Sequence, residues 1–447
     1  MSTLTIAIVV VFVLGYACIA LESVTKVNKA AVALFMFVAC WAIYMIDPGS
    51  YLPGTPAGEI LNKVNSIIEA HLGSTSTTLF FLMGAMTIVE IVDQNGGFNF
   101  VRTALRTESK RALLWKIAFM TFFLSAILDN MTTTIVMIMV LRKLVADHND
   151  RLIYASLVVI AANAGGAFSP IGDVTTIMLW NKSLITSGGV IKEILIPSII
   201  AMAVPAFILQ YSLKGKLGTG SVQAVNAESD GFTSRQRKAI FFLGVGGLIF
   251  VPIFRYITNL PPFVGILLVL SVLWITTELF YRHLRGKKEK GGMNKRVSNV
   301  LSRIDMSTIL FFLGILMAVS CLEEIGVLSA VGQWLNQVSH GNHYIVTGTI
   351  GVISSIVDNV PLVAGCMGMY PLAATGDFAV DGIFWQLLAY CAGVGGSMLI
   401  IGSAAGVVAM GLEKINFGWY MKRISWIAFI GYIAGIFSYY LLRTFIY

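Results

Sequence analysis

Charged residues are scarce in this chain: Asp, Glu, Lys and Arg make up 12% of its 447 residues, against 57% apolar ones. Water-soluble domains carry about a quarter of their residues as charges. The shortage excludes a soluble globular body and demands lipid as the solvent. Cysteine is also rare. Cys18, Cys40, Cys321, Cys366 and Cys391 fall inside apolar segments with no CxxC and no Cys/His pairing, which excludes a disulfide framework and a zinc site and leaves packing as their role. No Walker sequence, catalytic triad or dinucleotide fingerprint is present, so neither an enzyme nor direct use of ATP is indicated, and no cofactor is implied. The first apolar stretch, Leu4 to Leu21, lacks a basic lead-in and a small-residue cleavage site, which predicts a retained helix. The most informative gap is positional. From Ile304 to Glu413 there is no Lys or Arg at all, although the net charge is +8. The basic residues lie instead in short loops between apolar stretches, where they orient a membrane protein and give no footprint for nucleic acid.

What remains is an all-α polytopic pattern. Apolar stretches long enough to cross ~30 Å of hydrocarbon recur along the whole length. The spans predicted are 4–21, 28–46, 78–94, 151–180, 194–213, 239–257, 262–281, 307–322, 384–411 and 425–443. Two further segments are different, because a polar tip at Asp129-Asn130 and another at Asp358-Asn359 is flanked by short apolar arms. Ile117 to Leu128 as a helix covers only ~18 Å. Arg102, Arg106, Lys110, Arg111 and Lys116 precede the first pair of arms, and Arg142, Lys143 and Arg151 follow it, so both ends are expected on the cytoplasmic side. Residues 117–141 are therefore expected to form a re-entrant hairpin, tolerated at membrane depth only with protein around its tip. Arg282 to Arg303 precede the second hairpin, 344–370, across one span, which places its entry outside. Carried through all the loops, the charges put both termini outside.

The halves repeat one another. Leu79-Phe-Phe-Leu82 recurs as Leu310-Phe-Phe-Leu313, Asp129-Asn130 as Asp358-Asn359, and Gly165-Gly166 with Gly172 as Gly395-Gly396 with Gly402, at offsets of 229 to 231 residues. Opposite orientation of the two hairpins makes these inverted repeats. The expected division is a first repeat over 1–213, a cytoplasmic linker over 214–238 and a second repeat over 239–447. Phe98, Val101 and Leu105, and in the second half Leu328, Val331, Leu335 and Val338, share one helical face each, as short interfacial helices would.

An ionised Asp in hydrocarbon costs about 3 kcal/mol on insertion scales, so the tips need a reason to hold one. A bound cation supplies it. The span 151–180 contains its own interruption, Asn163 to Asp173, in which Pro170 and clustered Gly165, Gly166 and Gly172 oppose a continuous helix and free backbone carbonyls. Its counterpart keeps Gly395, Gly396 and Gly402 but replaces Pro170 by Ile400 and Asp173 by Ser403. Carboxylates, amides, hydroxyls and free carbonyls are the ligands a hard cation prefers. The candidate ion site is thus Asp129, Asn130, Thr132, Thr133, Asp173, Asp358, Asn359 and Ser403, with a hard monovalent cation expected at Asp129, Asp173 and Asp358, and with Glu90 read either as a proton-path residue or as a snorkelling helix-end charge. The competing explanation is turn and helix-capping chemistry at the ends of ordinary helices. The five histidines fall outside or at the edges of the predicted spans, as solvated loop residues.

Ser125-Ala-Ile-Leu-Asp-Asn-Met-Thr-Thr-Thr134, Ser169-Pro-Ile-Gly-Asp-Val-Thr-Thr-Ile-Met-Leu-Trp180 and Val357-Asp-Asn-Val-Pro-Leu362 resemble the NhaD-type sodium/proton antiporters of the ion transporter superfamily. The resemblance implies paired hairpins and broken helices, a substrate held between them, Na+ and H+ as the transported ions, homodimers in lipid and a bacterial inner membrane. Relatives that carry dicarboxylates place Ser-Asn-Thr at the tips. The acidic tips here favour a cation, because carboxylates repel a dianion. Sodium-coupled symport of a small carboxylate or oxyanion is the alternative on the same fold.

Overall fold

The computed structural model describes residues 2–20, 27–96, 104–105, 107–213, 215, 217, 233–284, 300–302, 304–356 and 359–446. Among the described residues there are eighteen α-helices and no strand. The first half runs α1 (Thr3–Ala20), α2 (Lys29–Tyr44), α3 (Ile60–Gln94), α4 (Lys110–Ser125), α5 (Asn130–Leu144), α6 (His148–Ala167), α7 (Val174–Asn181) and α8 (Ser187–Leu209). The second runs α9 (Ser234–Thr258), α10 (Pro262–Leu284), α11 (Met306–Glu324), α12 (Val327–Val338), α13 (His343–Ser354), α14 (Asn359–Met369), α15 (Ile383–Gly395), α16 (Ala404–Glu413), α17 (Phe417–Arg423) and α18 (Ser425–Phe445). Six of them, α3, α8, α9, α10, α11 and α18, are long and apolar enough to cross a membrane, and the protein is an integral membrane protein.

Three predicted elements differ in extent. The span drawn at 78–94 is the last half of a 35-residue helix that starts at Ile60. Its first turns carry the polar Asn62, Lys63, Asn65 and Glu69, which a hydropathy criterion passes over, and of these Lys63 and Glu69 are good helix formers. His71 consequently lies inside α3, where Nε2 is 2.8 Å from Glu324 Oε1, and not in a loop. The spans 151–180 and 384–411 are each two helices, α6 with α7 and α15 with α16. Of the two expected interfacial helices, α12 is present, with Leu328 buried and Val331, Trp334 and Val338 facing outward. Phe98 and Val101 lie outside the described residues, as does most of the linker 214–238. The five cysteines are free, and all but Cys18 are buried.

The helices fall into two packed groups. In one, α2 packs on α1 and α11, and α3 packs on α9, α10 and α11. In the other, α6 is surrounded by α4, α5, α8, α15 and α16, while α13 packs on α15 and α18 on α8. Apolar burial gives no sorting force between helices in lipid, so close contact rests on small residues and hydrogen bonds. Glycine supplies the contact at matching positions. A methyl group at Gly165 would lie 2.1 Å from the Phe122 carbonyl oxygen, and one at Gly395 would lie 2.2 Å from that of Gly351. Gly172 and Gly402 meet the carbonyls of Ser125 and Ser355 in the same way. The Ser125 hydroxyl donates to Ala162 O at 2.6 Å, and the Ser354 hydroxyl to Ala392 O at 2.9 Å. Hydrogen bonds and close approaches thus recur about 230 residues apart, as the sequence motifs do.

Candidate ion-binding site

Four helix ends, the starts of α5, α7, α14 and α16, carry the candidate residues. Asp129 is extended (φ −95, ψ 165) and caps α5. Its carboxylate accepts the Thr132 backbone N–H at 2.7 Å and the Thr132 hydroxyl at 2.5 Å. The cap satisfies one of the orphan donors that begin any helix and holds the carboxylate at the tip between the arms α4 and α5. Next to it, the Asn130 amide donates to Asn163 Oδ1 on α6 at 3.0 Å, and the Asn163 amide donates to Ser403 Oγ at 2.9 Å. Ser403 in turn caps α16, accepting the Gly406 N–H at 3.2 Å. Asn130, Asn163 and Ser403 are all buried, so each of these bonds spares a polar group from being stranded in a dry interior.

Asp173 behaves differently from Asp129. It precedes α7 without capping it, and its Oδ2 accepts the Asn359 amide at 3.3 Å. Two glycines admit it: a methyl group at Gly166 would lie 3.2 Å from Asp173 Cβ, and one at Gly393 would lie 3.3 Å from Oδ2. Only 2% of Asp173 is exposed. Asn130 at the start of α5, Asn163 of α6 and Ser403 before α16 thus form one buried chain of polar groups beside Asp129, and Asp173 before α7 pairs with Asn359 at the start of α14. Thr133 adds a fully buried hydroxyl without a hydrogen-bond partner. Asp358 lies outside the described residues.

The interruptions are shorter than the sequence suggests. Asn163, Gly165 and Gly166 remain helical, and the break in the first half is confined to Phe168–Asp173, which holds Pro170 and Gly172. Gly395 ends α15 and Gly396 follows as its cap. Helical glycines here serve close packing, and the free carbonyls belong to the segments beyond them. Asn163 contributes its side chain, a role the sequence reading assigned only to its backbone; the usable signal was an amide in the otherwise apolar run Leu157–Ala167.

A cavity of about 230 Å³ reaches this cluster from the seam between the two helix groups. Asp129 and Asn130 line it, as do Val174 and Ala404, the first residues of α7 and α16. Glu90, Asp93 and Asp305 line it too, and among the described residues no Lys, Arg or His is in its walls. Asp305 repeats the Asp129 arrangement, accepting Thr308 N–H at 3.2 Å and its hydroxyl at 2.6 Å. A second cavity of similar volume lies by the opposite end of α3, walled by His71, Thr75, Thr78, Asn181, Ser320 and Glu323 among others.

Residues 16–388 match the citrate transporter family. The chain is 44% identical over 436 residues to sodium/proton antiporter 1 of Arabidopsis thaliana, covering 97% of this chain and 72% of that protein. It is 41% identical to sodium/proton antiporter 2 of the same plant, covering 97% and 99%, and 28% identical to the Na(+)/H(+) antiporter NhaD of Vibrio cholerae, covering 99% and 92%. These likenesses run over nearly the whole chain and bear out the resemblance seen in the hairpin and broken-helix motifs: the chain belongs to the citrate transporter family, among its NhaD-type members.

Proposed function

We propose that the protein is a secondary transporter that exchanges cytoplasmic Na+ or Li+ for external H+, with Asp129, Asp173 and Asp358 as the groups that hold either ion. The observation that carries this reading is the cavity itself. Among the described residues, four carboxylates and no basic residue line a path that ends at Asp129 and at the first residues of both half-helices. A small cation is drawn into such a chamber, whereas a citrate-like anion would meet repulsion of several kcal/mol at short range. The acidic lining supports a cation over an anion, although the family takes its name from citrate, and counts against sodium-coupled anion symport.

In this mechanism Na+ and H+ compete for the same carboxylates. Asn130, Asn359, Thr132, Thr133 and Ser403 complete the coordination, and Glu90 passes protons along the cavity wall. The two halves act as inverted repeats, a reading supported by the glycine and serine contacts that recur about 230 residues apart. The basic residues around the first hairpin assign the Asp129 cavity to the cytoplasmic side and both termini to the outside. The hairpin-bearing group then shifts against the other helices to expose the site alternately, in a bacterial inner membrane. Asp129→Asn should abolish the Na+-induced collapse of a pH gradient in everted vesicles, by at least about 100-fold in initial rate, with protein still in the membrane. Full activity in that variant would refute the reading.

A further inference from the structure

Each half-helix that begins at the site ends on arginine. Leu412 O, at the end of α16, accepts a hydrogen bond from Arg142 Nη2. The neighbouring Glu413 carboxylate is held by Arg142 Nε at 2.7 Å and Arg151 Nε at 3.1 Å. Those arginines sit on α5 and α6, within the site-bearing group. The end of α7 is held from the other group. Arg255 of α9 donates from Nη1 to Trp180 O at 2.7 Å and from Nη2 to the Ser183 hydroxyl at 3.0 Å. Its guanidinium lies 4.7 Å from the centre of the Trp180 ring. A second tie points the same way, because the Asn181 amide donates to Thr78 Oγ1 of α3 at 3.3 Å.

The consequence follows from length. α7 is eight residues, about 12 Å, with Asp173 at one end and the Arg255 clamp at the other. A rod that short transmits displacement from end to end, and the planar guanidinium, with two parallel donors and a ring face beneath it, fixes both position and orientation. We propose that Arg255 is a positioning residue for the ion site, setting through α7 the place of Asp173 relative to Asn359. It touches no transported ion.

The inference rests on the exchange reading, and the two fail separately. Saturation curves for Na+ in everted vesicles would be measured for the unaltered protein, Arg255→Gln, Arg255→Lys and Ser183→Ala, each normalised to protein in the membrane. Absence of Na+-driven proton movement in the unaltered protein would overturn the exchange reading itself. Given exchange, Arg255→Gln should raise the half-saturating Na+ concentration five-fold or more, with the maximal rate changed less than two-fold. Arg255→Lys, which keeps the charge and loses the fork, should fall between. Ser183→Ala removes one prong at an exposed position and should give a two- to three-fold rise, which keeps the test intact should the Arg255 variants fail to fold. A clamp that merely stabilises the fold would lower protein amount and maximal rate and leave half-saturation unmoved in all variants; that result overturns the proposal.

Discussion

Asn163 shows how much a single side chain decides here. It sits wholly buried on α6, donating to Ser403 and accepting from Asn130, so it joins the first hairpin tip to the second broken span. Truncation would strand the Asn130 amide in a dry interior at about 1–3 kcal/mol, while Ser403 keeps the Gly406 N–H. Asn163→Ala is therefore expected to lower the melting temperature in detergent and to raise the half-saturating Na+ concentration about ten-fold, measurable by thermal scans and by vesicle titration. Asp129 and Asp173 are chemically identical and placed in different trades: one caps a helix and fronts a cavity, the other leaves its helix uncapped and turns to an amide across the repeat. The acidic tips and the acidic break were visible in the sequence because a carboxylate in an apolar run has few innocent explanations. Their partners were not, since hydrogen-bond pairing between residues 163 and 403 depends on how separate helices meet.

At the scale of elements, glycine placement governs how close the helices come. Gly165→Ala or Gly395→Ala would drive a methyl group to within 2.1–2.2 Å of a backbone oxygen and push α4 from α6, or α13 from α15. Loss of about 1–3 kcal/mol or of assembly altogether is expected, seen as a drop in monodisperse protein on size exclusion. Gly188→Ala and Gly246→Ala, where nothing lies within 4 Å, should leave the elution profile unchanged. Hydropathy located the apolar elements well, because a lipid solvent leaves a strong imprint on composition. It failed where helices are polar or short: the first turns of α3 went unseen, and the breaks were drawn too wide because glycine opposes a helix in principle while a tightly packed bundle keeps Gly165 and Gly166 helical.

Over the whole molecule, the two helix groups meet along a seam that holds both cavities, and ionic contacts tie the two halves of the chain together. Glu413, 3% exposed, joins the second half to Arg142 and Arg151 of the first. Glu413→Gln removes two charge-assisted bonds and should destabilise the protein by about 2 kcal/mol or more, read as a lower melting temperature at unchanged helical content. Short matching motifs about 230 residues apart were legible in the sequence, whereas the sorting of helices into two groups was not, because it pairs elements from opposite ends of the sequence. The long third helix carries a last implication. Its residues Phe81 to Asp93 wall one chamber and His71 to Thr78 wall the other, along a single unbroken rod of about 52 Å. Under the proposed exchange, an ion passing between the two chambers would stay against the flank of that one rod, so transit would amount to a change of company around a standing pillar.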